Sequence, residues 1–149
     1  MFAGNFHTMA ISKSGELYTW GVGAYGRLGL GYLEDSTEIP NQTFPFKVPQ
    51  VFDNSSVLSA GCGMLISGVA MLSGSFYTWG RGQHERAKMT DHIEFSSPKM
   101  ILEQKSIVHA SFGVHHVMLI DRNSCLYGFG ECTKGCLGLG DGKKRFQPL

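Results

Sequence analysis

Histidine and cysteine side chains are the residues of this sequence best suited to binding a metal ion. His115 and His116 precede Cys132 and Cys136 by one or two predicted strands. Imidazole and thiolate are zinc ligands, but zinc needs four that converge. Adjacent residues of a strand point to opposite faces, so only one of the two histidines can join the cysteines. We therefore predict no metal site, with zinc as the alternative.

The remaining polar residues do not form a pattern that is typical of a catalytic site. No Ser-His-Asp arrangement stands out, and Glu34, Asp35 and Glu38 cluster in a predicted loop where they are solvated. Residues 26–31 read Gly-Arg-Leu-Gly-Leu-Gly, but the Lys-Ser/Thr and the helix start of a phosphate-binding loop do not follow. We predict a protein that is not an enzyme, with no catalytic residue and no cofactor; nucleotide binding is the alternative for residues 26–31.

Composition limits the partners further. The chain has 149 residues, 42% of them apolar, and a net charge of +1. Binding to a nucleic-acid backbone needs clustered Lys and Arg, and the only obvious cluster in the sequence is 143–145. We therefore expect no nucleic-acid binding through this chain. The longest mostly apolar run, 64–72, is too short to cross a bilayer. Cysteine spacing fits no disulfide framework, which favours reduced thiols and an intracellular protein, nuclear or cytoplasmic.

The main organising feature is an internal repeat. A shift of 109 residues places Gly4 on Gly113 and Trp20 on Phe129 without a gap. A shift of 59 residues places Trp20 on Trp79, although this second copy lacks the downstream glycines. We predict one domain with repeats at about 1–60, 61–110 and 111–149, the last of them truncated.

Each repeat begins with two short apolar segments around a polar turn, which predicts a β-hairpin. In the first repeat these are 7–11 and 16–20, and we expect 46–51 and 57–60 to complete the same unit. In the second repeat, 99–102 and 107–111 take the same places. In the third hairpin turn, Asn123 is expected to adopt the left-handed conformation. The fold class is therefore all-β, with consecutive four-stranded antiparallel blades forming a partial, open β-propeller.

The two faces of these strands differ in a way that suits stacked sheets. Leu17 shares a small-residue face with Thr19, whereas Tyr18 and Trp20 share the bulky one. The segment 117–120 is apolar at every position, which predicts a strand buried on both faces. We expect His7 and His116, at one repeat position, to be structural and to hydrogen-bond backbone within their own blades.

These residues resemble the repeat of the regulator of chromosome condensation family. The resemblance is carried by His7-Thr8, Gly15-x-Leu17-Tyr18-x-Trp20-Gly21 and Gly26-x-Leu28-Gly29-x-Gly31. Over the three repeats, the structural signature comprises His7, Trp20, Gly21, Gly26, Leu28, Gly29, Gly31, Trp79, Gly80, His116, Phe129, Gly130, Gly135, Leu137, Gly138 and Gly140. Full family members close seven such repeats into a ring. The resemblance implies that this chain is a segment of a longer propeller, or that it self-associates through its uncovered blade faces.

Function is expected to reside in the loops, since binding residues of propellers lie there. Two loops depart from the repeat, at 32–45 and 81–95, and the second replaces the glycine signature. Its candidate partner-binding residues are Arg81, His84, Glu85, Arg86, Asp91 and His92. We predict a protein-interaction or scaffold module. The resemblance implies two alternatives, a guanine-nucleotide exchange factor for a Ran-type small GTPase and a chromatin-associated protein.

Overall fold

In the described part of the chain, eleven β-strands form three antiparallel sheets. The computed structural model describes residues 1–31, 39–49, 52–82, 93–103, 105–130 and 134–140. The first sheet contains β1 (Phe2–Ala3), β2 (His7–Ile11), β3 (Leu17–Gly21) and β4 (Gln42–Lys47). The second contains β5 (Val57–Cys62), β6 (Ile66–Met71), β7 (Phe76–Gly82) and β8 (Ile93–Leu102). The third contains β9 (Ile107–Phe112), β10 (His116–Asp121) and β11 (Leu126–Gly130).

The central hairpin of every sheet has the same register. His7 pairs with Gly21, Ile66 with Gly80 and His116 with Gly130, so the three hairpins begin at one repeat position. Strand order follows chain order in each sheet, as in a meander. The predicted all-β architecture of consecutive antiparallel blades is confirmed.

The assignment of strands to blades is offset from the sequence repeat. The predicted unit combined 57–60 with the first hairpin, but Val57–Cys62 pairs with β6 and opens the second sheet. Ile107–Phe112 likewise opens the third sheet. That part of the prediction was wrong, because the two-residue strand Phe2–Ala3 pairs with β2 and forms that edge of the first sheet.

The hairpin turns need one residue in the left-handed region. Gly15 (φ 81°) and Gly74 (φ 92°) supply it in the first two sheets, and Ser124 (φ 65°) occupies the same position in the third. The prediction of Asn123 for this conformation was therefore wrong by one residue. The Asp121 carboxylate accepts hydrogen bonds from the backbone N–H groups of Asn123 (2.9 Å) and Cys125 (2.8 Å), which stabilise a turn without glycine.

Two apolar cores lie between consecutive sheets. Between the first and second, Met9 and Leu17 pack against Val69 and Trp79. Between the second and third, Phe76 packs against Phe129, and the two rings meet edge to face at 6.4 Å between centroids. The predicted pairing of a small face with a bulky face does not describe the second core, where Phe76 and Phe129 are both bulky. The described residues contain no helix of the length and apolarity that a bilayer crossing requires.

The segment 117–120 is buried on one face only. Val117 and Leu119 are fully buried, whereas Ile120 is 42% exposed. The sequence prediction of burial on both faces thus holds for only one of them.

Candidate partner-binding face

Antiparallel pairing brings the candidate functional segments to one end of the sheets. Because His7 pairs with Gly21 and Ile66 with Gly80, the residues before β2 and after β7 lie at the same end. We call it the glycine-loop end. Of the six candidate partner-binding residues, Arg81 lies there; His84, Glu85, Arg86, Asp91 and His92 are outside the described residues.

The glycine loop of the first repeat packs on the second sheet. Gly26, Gly29 and Gly31 all have positive φ (66°, 71° and 84°), and the Gly29 N–H donates to the Gly26 carbonyl at 3.0 Å. Gly29 lies against the Trp79 indole, so closely that a Cβ on it would be 2.6 Å from Nε1. Trp79 Nε1 donates to the Arg27 carbonyl at 3.0 Å. The loop is therefore a packing element, shaped by the ring that it covers.

His7 hydrogen-bonds the neighbouring blade rather than its own backbone. Its Nε2 lies 2.6 Å from Ser67 Oγ, and that hydroxyl donates its single hydrogen to the Arg27 carbonyl at 2.8 Å. His7 must then be the donor, which makes it the neutral Nε2–H tautomer. Nδ1 is buried and has no partner among the described residues. The sequence prediction of a backbone partner within the blade was wrong, because Ser67 belongs to the next repeat.

Protonation of His7 is expected to destabilise the fold. Burial, together with the Arg27 charge, lowers its pKa from 6.5 to about 4. In the unfolded chain the ring takes up a proton near pH 6.5, so the free energy of unfolding falls as the pH drops from 6.5 towards 4. The full loss is at most about 3 kcal/mol. Urea unfolding over this range should show a steeper loss for the wild type than for His7→Gln.

The matched control is His116→Gln, which changes the same repeat position where the ring is only half-buried. This variant should keep the steep pH dependence of the wild type. An equal slope in wild type and His7→Gln would contradict the assignment of this proton uptake to His7.

The glycine-loop end also carries a cluster of cations and aromatic rings. The Arg27 guanidinium lies 5.6 Å from the centroid of Phe6 and 5.5 Å from that of Tyr25. Arg81, from the next sheet, lies 4.9 Å from the Tyr25 centroid. Tyr25 has φ 62°, a conformation that bulky residues rarely adopt without a structural or functional reason. The cluster therefore links Arg81 to residues that sequence reasoning missed.

The residues of this cluster differ in their exposure to solvent. Arg27 is 3% exposed and donates to the carbonyls of Ala24 (2.8 Å) and Met64 (3.2 Å), so it holds the two sheets together. Phe6 is 49% exposed, and Tyr25 and Arg81 are half-buried. Phe6, Tyr25 and Arg81 can therefore touch a partner. The sequence signal for Tyr25 was an aromatic residue inside a glycine-rich turn.

The cysteines and histidines do not assemble a metal site in the described part of the chain. No group of three or more metal-ligating side chains converges there. Cys136 is disulfide-bonded, and Cys132 lies outside the described residues. Cys62 and Cys125 are free thiols, and burial raises the pKa of Cys62 to about 12. The expectation of reduced thiols was therefore wrong for Cys136.

The opposite end of the sheets carries a polar cavity of about 390 Å³. Its lining residues are Asp53, Ser73, Ser75, Met100, Glu103 and Ser106. The Asp53 carboxylate accepts hydrogen bonds from the Ser73 hydroxyl (2.5 Å) and the Ser55 N–H (3.3 Å). These bonds tie together the turns of adjacent repeats, so Asp53 has a structural role at this end.

Sheets of this kind, stacked side by side and joined by loops at both ends, define a β-propeller repeat protein. Residues 14–69 match the profile of the regulator of chromosome condensation (RCC1) repeat. The predicted resemblance to repeats of the chromosome-condensation-regulator type is thus confirmed over this segment of the chain.

Known proteins with similar sequence or structure agree. The chain is 29% identical over 138 residues to human probable E3 ubiquitin-protein ligase HERC3, covering 91% of this chain and 12% of that protein. It is 28% identical over 144 residues to the ultraviolet-B receptor UVR8 of Arabidopsis thaliana, covering 95% and 31%. The structure of Prp20p from Saccharomyces cerevisiae matches with a TM-score of 0.79 at 21% identity, covering 99% and 36%. Human WBSCR16 matches with a TM-score of 0.77 at 22% identity, covering 97% and 37%. The chain spans less than a third of the two curated relatives.

Proposed function

We propose that the chain is a protein-interaction module whose contact surface is the glycine-loop end. The observation that carries this proposal is the cluster of Phe6, Tyr25 and Arg81, which is drawn from two sheets and remains accessible. Aromatic residues and arginine are enriched among the residues that dominate binding energy at protein interfaces. The fixed position of Tyr25 reduces the conformational entropy lost on binding.

The chemistry of this surface specifies the kind of partner. Phe6 offers an apolar contact, and Arg81 adds a positive charge 4.9 Å from the centroid of the Tyr25 ring. A complementary partner surface presents an acidic residue beside an apolar one. The predicted loop residues His84, Glu85, Arg86, Asp91 and His92 follow Arg81 in the chain, and their role in binding stays a prediction.

Two finer functions have a specific source of support. Prp20p has been described together with its binding properties to Gsp1p and histones. By similarity, exchange on a Ran-type GTPase and association with chromatin are the alternatives to a scaffold role. The net charge of +1 favours a protein partner over a DNA backbone. Placement inside a longer propeller, the repeat limits near 60 and 110, and an intracellular location, nuclear or cytoplasmic, stay predictions.

The proposal is tested by affinity capture with the wild type, Phe6→Ala, Arg81→Ala and the control Leu72→Ala. Leu72 is 59% exposed in the turn between β6 and β7, at the opposite end. Truncating a dominant interface residue costs 2 kcal/mol or more, so a captured protein should bind about 30-fold more weakly to the Phe6 variant. Leu72→Ala should bind as the wild type does.

Capture that is equal for all four proteins would overturn the proposed surface. The finer alternatives have separate readouts. An exchange factor accelerates release of labelled guanine nucleotide from a Ran-type GTPase, and a DNA-binding protein retards DNA in a salt-dependent way. A scaffold shows neither, yet retains a defined protein partner.

A further inference from the structure

The cavity of about 390 Å³ at the end opposite the glycine loops is acidic. Two of its lining side chains are carboxylates, Asp53 and Glu103, and none of the described lining side chains is basic. Three serine hydroxyls and the thioether of Met100 complete the lining. The two carboxylates lie in the segments before and after the second sheet, so the cavity lies between neighbouring repeats. This lining favours a cation that donates hydrogen bonds.

The first repeat shows which cation such a group of side chains binds. Lys47 forms an ion pair with the Glu16 carboxylate. The same carboxylate accepts hydrogen bonds from the hydroxyls of Ser14 (3.1 Å) and Tyr18 (3.3 Å). In the register of β3 and β4, Lys47 lies opposite Tyr18. Its ammonium group is thus bound by a carboxylate that two hydroxyls hold in place.

The second repeat lacks this lysine. Met100 lies opposite Tyr77, which puts a neutral thioether at the repeat position of Lys47. A shift of 59 residues also places Ser75 at the position of Glu16. Both partners of the ion pair are therefore replaced by neutral side chains, and both replacements line the cavity.

Neighbouring loops supply the negative charge of the second repeat instead. The Asp53 carboxylate accepts a hydrogen bond from the Ser73 hydroxyl at 2.5 Å, as Glu16 does from the equivalent serine of the first repeat. Burial raises the pKa of Tyr77, and the charges of Asp53 and Glu103 raise it further. Both carboxylates thus act on the same phenol, next to the position that lacks a lysine.

Ser75 offers one more hydrogen-bond acceptor. It is 2% exposed and lines the cavity. Its backbone N–H donates to Ser73 Oγ at 3.4 Å, whereas its hydroxyl makes no hydrogen bond within the described part of the chain. Buried hydroxyls normally have a partner. This one occupies the position at which the first repeat binds an ammonium.

We infer that this cavity binds the ammonium group of a lysine side chain on a protein partner. Asp53 and Glu103 accept charge-assisted hydrogen bonds from it, and Ser75 adds a neutral acceptor. Met100 packs against the methylene groups of the lysine. A thioether is a poor ligand for Ca²⁺ or Mg²⁺, which favours an ammonium over a metal ion. This contact lies at the end opposite Phe6 and is independent of the surface proposed there.

Titration of the chain with a blocked peptide of one lysine between two glycines tests the inference, with norleucine in place of lysine as the uncharged control. Nuclear magnetic resonance follows the backbone amides of Ser73, Ser75 and Ser106. The lysine peptide should shift these signals saturably, and the norleucine peptide should not. Glu103→Gln should weaken binding about tenfold or more, the effect of losing one charge-assisted hydrogen bond. Glu16→Gln makes the same change in the first repeat and should bind as the wild type does.

Met100→Lys and Met100→Leu distinguish a ligand site from a structural role. Lysine at this position restores the arrangement of the first repeat and fills the cavity with the chain's own ammonium, so peptide binding should be lost. Leucine is apolar and similar in size, so binding should stay within about twofold. Circular dichroism confirms that both variants are folded.

Four results would overturn the inference. They are equal shifts with the lysine and norleucine peptides, no saturable shift with the lysine peptide, a tighter response to calcium chloride, or equal binding by Met100→Lys and Met100→Leu.

Discussion

Trp79→Ala is expected to lower the free energy of unfolding by about 3–5 kcal/mol, the range for removing a fully buried aromatic side chain. Trp79 is 0% exposed and lies in the core between the first and second sheets. Its indole fills the space beside Gly29 and hydrogen-bonds the Arg27 carbonyl at 3.0 Å. Alanine leaves a cavity between two sheets and a buried carbonyl with one donor fewer. Urea denaturation monitored by circular dichroism measures the change.

Two other substitutions separate the causes of this loss. Trp79→Phe keeps an aromatic ring, as Phe129 does at the same position of the third sheet, but removes the N–H donor. Its cost should be about 1–2 kcal/mol, the range for a lost hydrogen bond with modest loss of volume. Trp20→Ala makes the same truncation at the half-buried repeat position and should cost less than Trp79→Ala. If Trp20→Ala and Trp79→Ala lowered the free energy of unfolding equally, burial of Trp79 between the first and second sheets would not be the cause of the loss.

The sequence predicted the hairpins because their signals are local. Alternating small and bulky residues define the strand faces, and Gly15 and Gly74 mark turns that need positive φ. Alignment of the third repeat with the first then predicted the hairpin of the third sheet. Local signals miss strands that are defined by pairing alone. Phe2–Ala3 is too short to show a strand pattern and is a strand only because it pairs with β2.

Contacts between blades could not be read from the sequence. His7 and Ser67 are separated by 60 positions, and no local pattern connects them. The cluster of Phe6, Tyr25 and Arg81 likewise depends on stacking of two sheets, which brings Arg81 to the Tyr25 ring. Of the predicted binding loop, Arg81 lies in strand β7, where it pairs with Glu94, so the prediction of a loop was wrong for this residue. The repeated motif thus predicts the strands and turns within each repeat. The side-chain contacts between neighbouring repeats depend on how the sheets pack together.

Gly29→Ala and Gly138→Ala form a matched pair that measures the contact between a glycine loop and the ring it covers. Both glycines have φ 71°, so the cost of forcing alanine into the left-handed region, about 1–2 kcal/mol, is common to the two variants. At Gly29 the new methyl group would also lie 2.6 Å from Trp79 Nε1. Overpacking of this kind adds about 1–3 kcal/mol. Gly29→Ala should therefore be the less stable variant by that difference in urea unfolding.

The comparison is made in dilute solution, where each copy of the chain is separate. Under those conditions Gly138→Ala reports the backbone strain alone, because no described atom lies within 4 Å of its new methyl group. Equal destabilisation of the two variants would mean that the Trp79 ring moves aside at little cost, and that the fit between loop and ring is loose. A larger loss at Gly29 means that the loop is shaped to its ring.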